Sequence, residues 1–529
     1  MTLSSDAHAQ GVVDVAQPIM LQAGEVAEVI EEDEDHAIDS DGEGYIEGEA
    51  QADEEDAIEV EFINDSSVYF DSHTDSIFHI SQHPGHPGEV FLTGGGDETA
   101  YIWAVEDAGS GGGGNADKGE EDIAVSPRKA RVLQKLGGHT DSVIGGGWTA
   151  DGQFVVTAGM DGRVRSWRQK EGSGKPSATA STTTTTSFTL SPATWGGTVP
   201  KVDGWEFVSE VHEVAEVSWV EMHPTRDWLA LGAKDGSVWV YTLESGGELV
   251  VKCAMYNHSA DCTAGAWSPV DPGLLVTVSE DGSLYAYDVT EQGKALISLT
   301  GMDARWNVEG GWVGVAVNWE GSATVCGGAC GTLRVVGLPR SSAFVIPTST
   351  TGRGQRPTPG GSQAGQILAT METHTESVES LSFCRALPLL ASASVDGTII
   401  IYDTSRNYSV RKTIQLAHPN PRSSNHQDQH TDPDAVEEED HSVNSVVKVE
   451  FIPSTHPPTS VILTSCGVDG TTKRWDARTG AEICCWRGHS DSIMNFVQTE
   501  KRVVTAGDDH VALVFDTPVV GKAVGVLGL

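Results

Sequence analysis

One short phrase returns seven times along the chain: an apolar strand, a turn that contains Asp, and an aromatic residue. In every copy the aromatic residue follows the Asp by six positions. The pairs are Asp97 and Trp103, Asp161 and Trp167, Asp235 and Tyr241, Asp281 and Tyr287, Asp396 and Tyr402, Asp469 and Trp475, and Asp509 and Phe515. Such a repeat predicts a ring or stack of similar units.

A second phrase precedes most of these copies and is best preserved as GHTDSV from Gly138 and GHSDSI from Gly488. An eighth, degenerate copy of the first phrase has Cys330 and Val336 in place of the Asp and the aromatic residue. We expect the His of each unit to hydrogen-bond with its own Asp and so hold the unit together. The expected residues are His73, His139, His258, His374, His441 and His489.

This combination of His, turn Asp and strand Trp resembles the WD40 repeat, in which four antiparallel strands form one blade of a β-propeller. The expected fold class is all-β, an eight-bladed WD40 β-propeller over residues 59–529. Residues 59–70 are expected to supply the outer strand of the last blade and close the ring. Four stretches are interpreted as insertions between a third and an outer strand: 104–129, 169–202, 339–365 and 417–440.

Acidic residues dominate the chain. There are 76 Asp and Glu against 33 Lys and Arg, a formal net charge of −43 at pH 7. The first 66 residues contain 21 acidic and no basic side chains, and residues 1–58 are predicted to be a disordered acidic tail. Because nucleic acids and acidic membranes are bound mainly through Lys and Arg, this composition disfavours both and favours a basic protein partner.

Other function classes find little support. No apolar stretch is long enough to span a membrane, and no secretory signal is present, so we expect an intracellular monomer, cytoplasmic with the nucleus as a second location. The loop cluster of His418, His426 and His430 lacks the spacing of a metal site. Without a nucleophile elbow, phosphate loop or dinucleotide fingerprint, we expect no enzyme, no cofactor and no metal.

In a propeller, the loops that enter each first strand and the turns that carry the repeat Asp share one face, around the central channel. Counting from each His predicts an acidic upper face with a few apolar anchors, beside a single basic residue, Lys234. Some of these residues have a simpler interpretation, as turn formers or as blade core. The candidate client-binding residues are Asp75, Asp141, Glu216, Asp261, Glu280, Glu376, Glu379, Asp491, Asp508, Phe78 and Trp219.

The order of the blades resembles one WD40 family, that of the angio-associated migratory cell protein and the related dedicated ribosomal-protein assembly chaperone. The resemblance rests on SVYFDSHTDSIFHI, VFLTGGGDETAYIW, GHTDSVIGGGWTADGQFVVTAGMDGRVRSW and SWVEMHP. It implies a chaperone that binds the basic N-terminal segment of a newly made large-subunit ribosomal protein on its upper face and protects it until delivery. By position it implies roles for Asp75, Asp141, Glu216, Glu280, Glu376, Glu379 and Asp491.

The sequence departs from the family pattern in two blades, and two other functions are alternatives to that of a ribosomal-protein chaperone. Blade 5 lacks both the His and the Asp, and blade 3 has His212 two residues out of register. A signalling or ubiquitin-ligase scaffold would use the same propeller, but phosphate capture needs a cluster of Arg on the face. A histone-type chaperone also pairs acid with a basic client, and charge alone does not separate it from a ribosomal-protein chaperone.

Overall fold

The computed structural model describes residues 63–105, 127–170, 204–344, 363–419, 444–453 and 461–517. These residues form eight sheets, and the first strand of each sheet lies beside the first strand of the next around a central channel. The predicted eight-bladed WD40 β-propeller is confirmed. The predicted tail, residues 1–58, lies outside the described residues. Within the described ranges, no helix is long and apolar enough to cross a membrane.

Blades are numbered in chain order, and the strands of each blade run outward from the channel. The first strand in the chain, β1 (Val68–Phe70), lies in blade 8. Blade 1 comprises β2 (Ile77–Gln82), β3 (Val90–Gly95), β4 (Ala100–Ala104) and, after the short β5 (Arg128–Lys129), β6 (Arg131–Leu136). Blade 2 comprises β7 (Val143–Trp148), β8 (Phe154–Gly159), β9 (Val164–Gln169) and β10 (Trp205–Val211). Blade 3 comprises β11 (Val217–Met222), β12 (Trp228–Ala233), β13 (Val238–Leu243) and β14 (Leu249–Met255).

Blade 4 comprises β15 (Ala264–Trp267), β16 (Leu274–Val278), β17 (Leu284–Asp288) and β18 (Lys294–Leu299). Blade 5 comprises β19 (Trp312–Val317), β20 (Ala323–Gly328), β21 (Thr332–Gly337) and β22 (Ile367–Glu372). Blade 6 comprises β23 (Val378–Phe383), β24 (Leu389–Ser394), β25 (Ile399–Asp403) and β26 (Ser409–Ile414). Blade 7 comprises β27 (Val446–Phe451), β28 (Ile462–Gly467), β29 (Thr472–Asp476) and β30 (Ala481–Trp486). Blade 8 comprises β31 (Ile493–Gln498), β32 (Arg502–Gly507), β33 (Ala512–Asp516), β1 and β5; short 3-10 turns, Val289–Glu291 and Thr404–Arg406, follow β17 and β25.

Burial follows the position of a strand within its blade. The second strands are almost entirely buried, as in β24, because neighbouring blades cover both faces of the sheet. Outer strands are largely exposed, as in β26, where only Ile414 is buried. The hydrophobic core therefore lies between blades; one cluster joins Leu92 of blade 1 to Trp148 and Trp167 of blade 2.

The ring is closed by residues from the two ends of the folded chain. Strand β1 pairs antiparallel with β33, so that Val68 lies opposite Val514. Phe70 is fully buried and stacks on Trp103 of blade 1, with ring centroids 4.9 Å apart. The predicted closing strand is confirmed. Strand β5, which pairs parallel with β1, falls in the stretch 104–129 that was interpreted as a loop, so that part of the interpretation is wrong.

The placement of one insertion is also wrong. The undescribed residues 106–126, 171–203 and 345–362 follow the third strands of blades 1, 2 and 5, as expected. The undescribed residues 420–443 instead follow β26, the outer strand of blade 6. They come after His418, which takes the place expected for His441: its Nδ1 lies 2.9 Å from Oδ1 of Asp469. The stretch 420–443 separates His418 from β27, the first strand of its blade, and for that reason His441 was chosen instead.

The expected His and Asp contact is confirmed in four blades, and in a fifth, blade 7, His418 makes it in place of His441. The carboxylate only accepts hydrogen bonds, so Nδ1 of each His must be the donor. The distances from Nδ1 to the carboxylate are 3.0 Å for His73 and Asp97, 3.1 Å for His139 and Asp161, 3.0 Å for His374 and Asp396, 2.9 Å for His418 and Asp469, and 2.9 Å for His489 and Asp509.

Each of these His also contacts a hydroxyl group on the second strand, which sequence reasoning missed. In blade 7, Nε2 of His418 lies 2.7 Å from Oγ of Ser465, and that oxygen accepts a hydrogen bond of 2.8 Å from the indole of Trp475. Carboxylate, imidazole, hydroxyl and indole thus form one buried network. Asp469 and Trp475 are the two ends of this network, and the six-residue spacing between them sets their positions.

Three blades use other contacts. In blade 4, Nδ1 of His258 lies 2.6 Å from Oγ of Ser283 and 3.9 Å from Asp281. In blade 3, His212 is exposed, and among the described residues Asp235 accepts hydrogen bonds only from Ser237 of its own turn. In blade 5, two buried indoles, those of Trp306 and Trp312, both donate to the carbonyl oxygen of Gly282 in blade 4.

The network predicts different costs for two similar substitutions. Asp396→Ala removes an acceptor for His374, Thr375 and Thr398, and we expect a loss of about 2–3 kcal/mol in the free energy of unfolding. The matched Asp235→Ala removes only the bonds from Ser237, and should cost about 1 kcal/mol. Urea unfolding of both variants measures this; equal losses would contradict the stabilising role of the His contact.

Buried imidazoles predict a loss of stability in acid. Burial lowers the pKa of four His to about 4: His79, His83, His223 and His258. In the unfolded chain these groups titrate near pH 6.5, so between pH 6.5 and about 4 the unfolded state binds more protons. The stability they contribute is therefore complete above pH 6.5 and falls below it, by up to about 1.4 kcal/mol per pH unit for each His.

The thermal midpoint should accordingly fall between pH 7.5 and pH 5. The measurement is made in 0.5 M NaCl, which screens the large net charge. In His223→Gln, which cannot gain a proton, the pH dependence should be weaker than in the wild type. The same midpoint at both pH values would show that these imidazoles do not control acid stability.

Candidate functional site

The first strands begin, and the repeat Asp turns lie, at one end of the channel. In blade 1, Ile77 at the start of β2 is paired with Gly95 at the end of β3, one residue from the turn that holds Asp97. The same pairing recurs in the other blades, as between Val378 and Ser394 in blade 6. The loops and turns predicted to form the upper face therefore do share one face.

Backbone hydrogen bonds correct the register of one predicted residue, Glu216, and agree with the predicted position of Asp261, three residues after His258. In blade 1 the residue before the turn Asp, Gly96, donates to the carbonyl oxygen of Ser76. The equivalent residues of blades 3 and 4, Lys234 and Glu280, donate to Glu216 and Asp261. Glu216 and Asp261 thus correspond to Ser76 and lie one position nearer the strand than Asp75 does. Counting from His212 failed because that His does not occupy the His position of its blade.

A β-bulge shapes the rim of the channel. In seven blades the pairing register shifts near the start of the first strand, and one residue falls in the bulge. Bulges re-aim a side chain, here at the inner edge of the upper face. Most of the residues in the bulges are apolar and half-buried, and Glu379 is exposed. They are Phe78, Ile144, Ser218, Val313, Glu379, Val447 and Met494.

Trp219 was predicted to belong to this rim, and that register is wrong: Ser218 occupies the bulge of blade 3. Trp219 lies one residue deeper, where its indole donates to Sγ of Cys262 over 3.4 Å. A Cβ atom on Gly265 would lie 2.0 Å from the ring, so the indole packs directly against the blade 4 backbone. The main role of Trp219 in the structure is contact between blades 3 and 4.

Three of the predicted acidic residues form their own turns. The carboxylates of Asp75, Asp141 and Asp491 accept hydrogen bonds of 2.8, 2.7 and 2.8 Å from the backbone N–H of the next residue. The turn-forming interpretation of these residues therefore holds. Their side chains remain exposed on three blades, so each also leaves negative charge on the upper face.

Three more acidic residues have partners on neighbouring segments. Asp508 accepts a short hydrogen bond from Oγ of Ser76, and Asp261 accepts one of 2.5 Å from Oγ of Ser218. Each of these bonds joins two blades. Glu216 pairs with the exposed Lys234 at 2.8 Å, and this pairing raises the pKa of the lysine. The charge of Glu216 is thus partly neutralised before any client binds.

Several carboxylates have no hydrogen-bond or ion-pair partner in the part of the chain that the structure describes, and four of them lie near this face in blades 4 to 6. Three of them were predicted: Glu280, Glu376 and Glu379. The fourth, Glu309, lies exposed in the loop before β19, and sequence reasoning missed it because blade 5 has no His from which to count. We call Glu280, Glu309, Glu376 and Glu379 the acidic sector, which spans blades 4 to 6.

Three arginines near this face are already paired with carboxylates. Arg163 and Arg165 pair with Glu210, and Arg305 forms two hydrogen bonds with Asp303. An unpaired arginine cluster of the kind that captures phosphate is therefore missing from the described upper face. The acidic sector is suited to the opposite task, which is to accept charge-assisted hydrogen bonds from Lys or Arg of a partner.

Catalytic chemistry has little basis in the described residues. They contain no group of three or more His, Cys, Asp or Glu placed to hold a metal ion. Burial raises the pKa of the Cys262 and Cys466 thiols to about 12, which makes them poor nucleophiles. His83, in the loop that follows β2, is buried and contacts the carbonyl oxygen of Gly152 at 3.2 Å.

Known proteins resemble this chain in sequence and in fold. The WD domain, G-beta repeat family matches residues 130–168 and 365–403. The ribosome assembly protein SQT1 of Saccharomyces cerevisiae is 27% identical over 91% of this chain and 93% of its own. The human angio-associated migratory cell protein is 26% identical over 85% of this chain and 80% of its own.

A solved structure is more similar in sequence than either. It is Sqt1 of Chaetomium thermophilum bound to the N-terminus of the ribosomal protein L10. It is 33% identical to this chain, with a TM-score of 0.64, and the match covers 86% of this chain and 100% of that one.

The close packing of Trp219 predicts that Gly265→Ala is destabilising. The added Cβ atom has no room beside the indole, so the free energy of unfolding should fall by about 1–3 kcal/mol. Gly137→Ala is the matched control, since a Cβ atom there meets nothing within 4 Å, and its stability should stay within about 0.5 kcal/mol of the wild type. Equal stability of the two variants in urea would show that the indole is free to move.

Proposed function

Because the chain belongs to the Sqt1 family of WD40-repeat proteins, we propose that it is a ribosome-assembly chaperone. It binds the basic N-terminal segment of a newly made large-subunit ribosomal protein on its upper face and protects that segment until delivery. The observation that carries the proposal is the acidic sector: four exposed or half-buried carboxylates that have no partner in the described structure. The complex of the fungal relative with the N-terminus of L10 supports the choice of client.

Within the acidic sector, Glu376 and Glu379 are the strongest candidates for client contacts. Both come from the segment that enters the first strand of blade 6, and Glu379 lies in the bulge at the channel rim. An Arg or Lys bound there would replace water around the carboxylates with direct, charge-assisted hydrogen bonds. Neighbouring apolar residues in the bulges, such as Val313 and Val447, would contact the aliphatic part of the client.

The other predicted residues have different parts in this proposal. Asp75, Asp141 and Asp491 attract the client from blades 1, 2 and 8 while they hold their own turns. Lys234 repels a basic client on blade 3, and so directs it toward blades 4 to 6. Phe78 lies at the rim and can contact an apolar client residue, whereas Trp219 is committed mainly to blade packing.

Charge also explains why such a client needs a chaperone. A segment rich in Lys and Arg binds RNA and other polyanions nonspecifically before it reaches its site. An acidic face neutralises it and raises the rate of association by electrostatic steering. Release requires only that the ribosomal RNA site competes for the same basic residues. The proposed activity is therefore binding without catalysis, in the cytoplasm where the client is made.

A phosphate-binding scaffold is less consistent with the structure. Arg163, Arg165 and Arg305, which a phosphorylated motif would need, are already paired with carboxylates. A histone-type chaperone fits the charge equally well, but it finds no counterpart in the L10 complex of the fungal relative.

Charge reversal in blade 6 tests the proposal. Calorimetric titration with the N-terminal segment of the organism's own L10-type ribosomal protein should show at least a 100-fold loss of affinity for Glu376→Lys combined with Glu379→Lys. Glu244→Lys combined with Glu500→Lys changes the net charge equally on exposed loops away from the upper face, and should stay within about threefold of wild type.

Wild-type affinity should also weaken at least tenfold between 0.1 and 0.5 M NaCl, since exposed charges are screened over about 8 Å even at physiological ionic strength. The proposal fails if the blade 6 reversal binds as tightly as the wild type, or if both reversals lose affinity equally while remaining folded.

A further inference from the structure

A cavity lies at the end of the channel opposite the acidic sector. It is lined by the last residues of the first strands of blades 3 to 7, including Met222, Val317 and Leu381, and has a volume of about 450 Å³. Three prolines from the adjoining loops, Pro224, Pro269 and Pro453, form its outer edge. We call this cavity the lower pocket. It shares no lining residue with the acidic sector, so a ligand here would not occupy the proposed client site.

Four aromatic side chains line the lower pocket. They are Trp267, Trp319, Phe383 and Phe451, which come from four different blades. The Trp319 ring already contacts one cation, since the guanidinium of Arg385 lies 5.2 Å from its centroid, in a neighbouring cavity. Aromatic faces of this kind attract ammonium and guanidinium groups through their electron-rich centres.

Two carboxylates, those of Glu221 and Glu450, enter the same space. Glu450 is partly compensated by Lys448, whose Nζ lies 3.8 Å from it. That lysine is held by hydrogen bonds of 2.9 Å to Asn495 and 2.8 Å to the carbonyl oxygen of Phe496, so it cannot move across the pocket to serve both acids.

Glu221 lacks a cation. No Lys, Arg or His in the described ranges lies within ion-pair distance of its carboxylate, and the backbone of Trp267 is the one group that favours the charged form. The Glu221 side chain is exposed to the channel, yet the surrounding protein desolvates it and raises its pKa to about 8. Without a counter-charge the ionised form of Glu221 is disfavoured, so a cation bound beside it would stabilise the carboxylate.

We propose that the lower pocket binds one lysine or arginine side chain of a basic protein segment, with Glu221 as its counter-ion and the aromatic walls around its stem. The cavity size, the unpaired carboxylate and the aromatic walls all match a cationic, partly apolar side chain. An anionic partner such as RNA is opposed by both carboxylates. The protein thereby has two cation-binding sites, one at each mouth of the channel, and the second does not depend on the proposed function of the first.

The test uses the full-length protein labelled at its tryptophan indoles, and three small probes: Nα-acetyl-arginine amide, Nα-acetyl-lysine amide and the uncharged Nα-acetyl-citrulline amide. We expect the arginine or the lysine probe to shift the indole N–H signals of Trp267 and Trp319 in NMR spectra, with saturation. Trp319→Phe assigns one of these signals. Citrulline, which matches arginine in shape, should bind at least tenfold more weakly.

Glu221→Gln should reduce the affinity for the cationic probe at least tenfold while it leaves the fold intact, because the amide keeps the shape of the side chain. The same variant should bind the ribosomal N-terminal segment as the wild type does, and Glu376→Lys combined with Glu379→Lys should bind the probe normally. Together, these binding measurements distinguish a failure of the lower-pocket inference from a failure of the proposed client site on the upper face.

Three results would overturn the inference. Equal binding of citrulline and arginine would mean that the pocket selects shape and not charge. Unchanged affinity of Glu221→Gln for the cationic probe would show that Glu221 is not its counter-ion. Shifts that vanish in the blade 6 reversal, and not in Glu221→Gln, would place the probe on the upper face.

Discussion

The contact between an imidazole and a turn carboxylate determines most of what this propeller can present. Each such pair joins the loop that enters a first strand to the turn between the second and third strands, as His374 does with Asp396. Those two segments carry the residues of the upper face. Because the imidazole is buried and its second nitrogen contacts a hydroxyl group, neither segment can shift without breaking a polar network inside the protein.

Blades without this pair are held by other means, and the face differs there. In blade 3 an ion pair between Lys234 and Glu216 lies on the surface, where it neutralises charge. In blade 5 the indoles of Trp306 and Trp312 reach the neighbouring blade, and the loop between them leaves Glu309 exposed. The acidic sector therefore lies partly on the blade whose repeat is most degenerate.

Spacing in the sequence was sufficient to predict the number of blades, the closing strand and four of the five His and Asp contacts. The prediction failed where an irregular loop changed the number of residues between the His position and the first strand of a blade. His441 was chosen because it stands near a strand, while His418 makes the contact from the far side of an undescribed stretch. Glu216 was placed with Asp75 because His212 was used as a reference, and only backbone hydrogen bonds reveal the difference of one residue. The lower pocket had no signature at all, since its aromatic residues come from separate repeats and meet only in the ring.

Closure of the ring has a consequence for the synthesis of the chain. Ser67 and Val514 are 447 positions apart, yet their backbones are hydrogen-bonded. Until β33 has been made, strand β1 can pair with the two-residue β5 on one edge, but its other edge stays unpaired through nearly all of translation. A protein proposed to guard nascent chains is thus, during its own synthesis, a nascent chain with an unprotected edge. Its first strand competes with every other strand it meets until the last blade is complete.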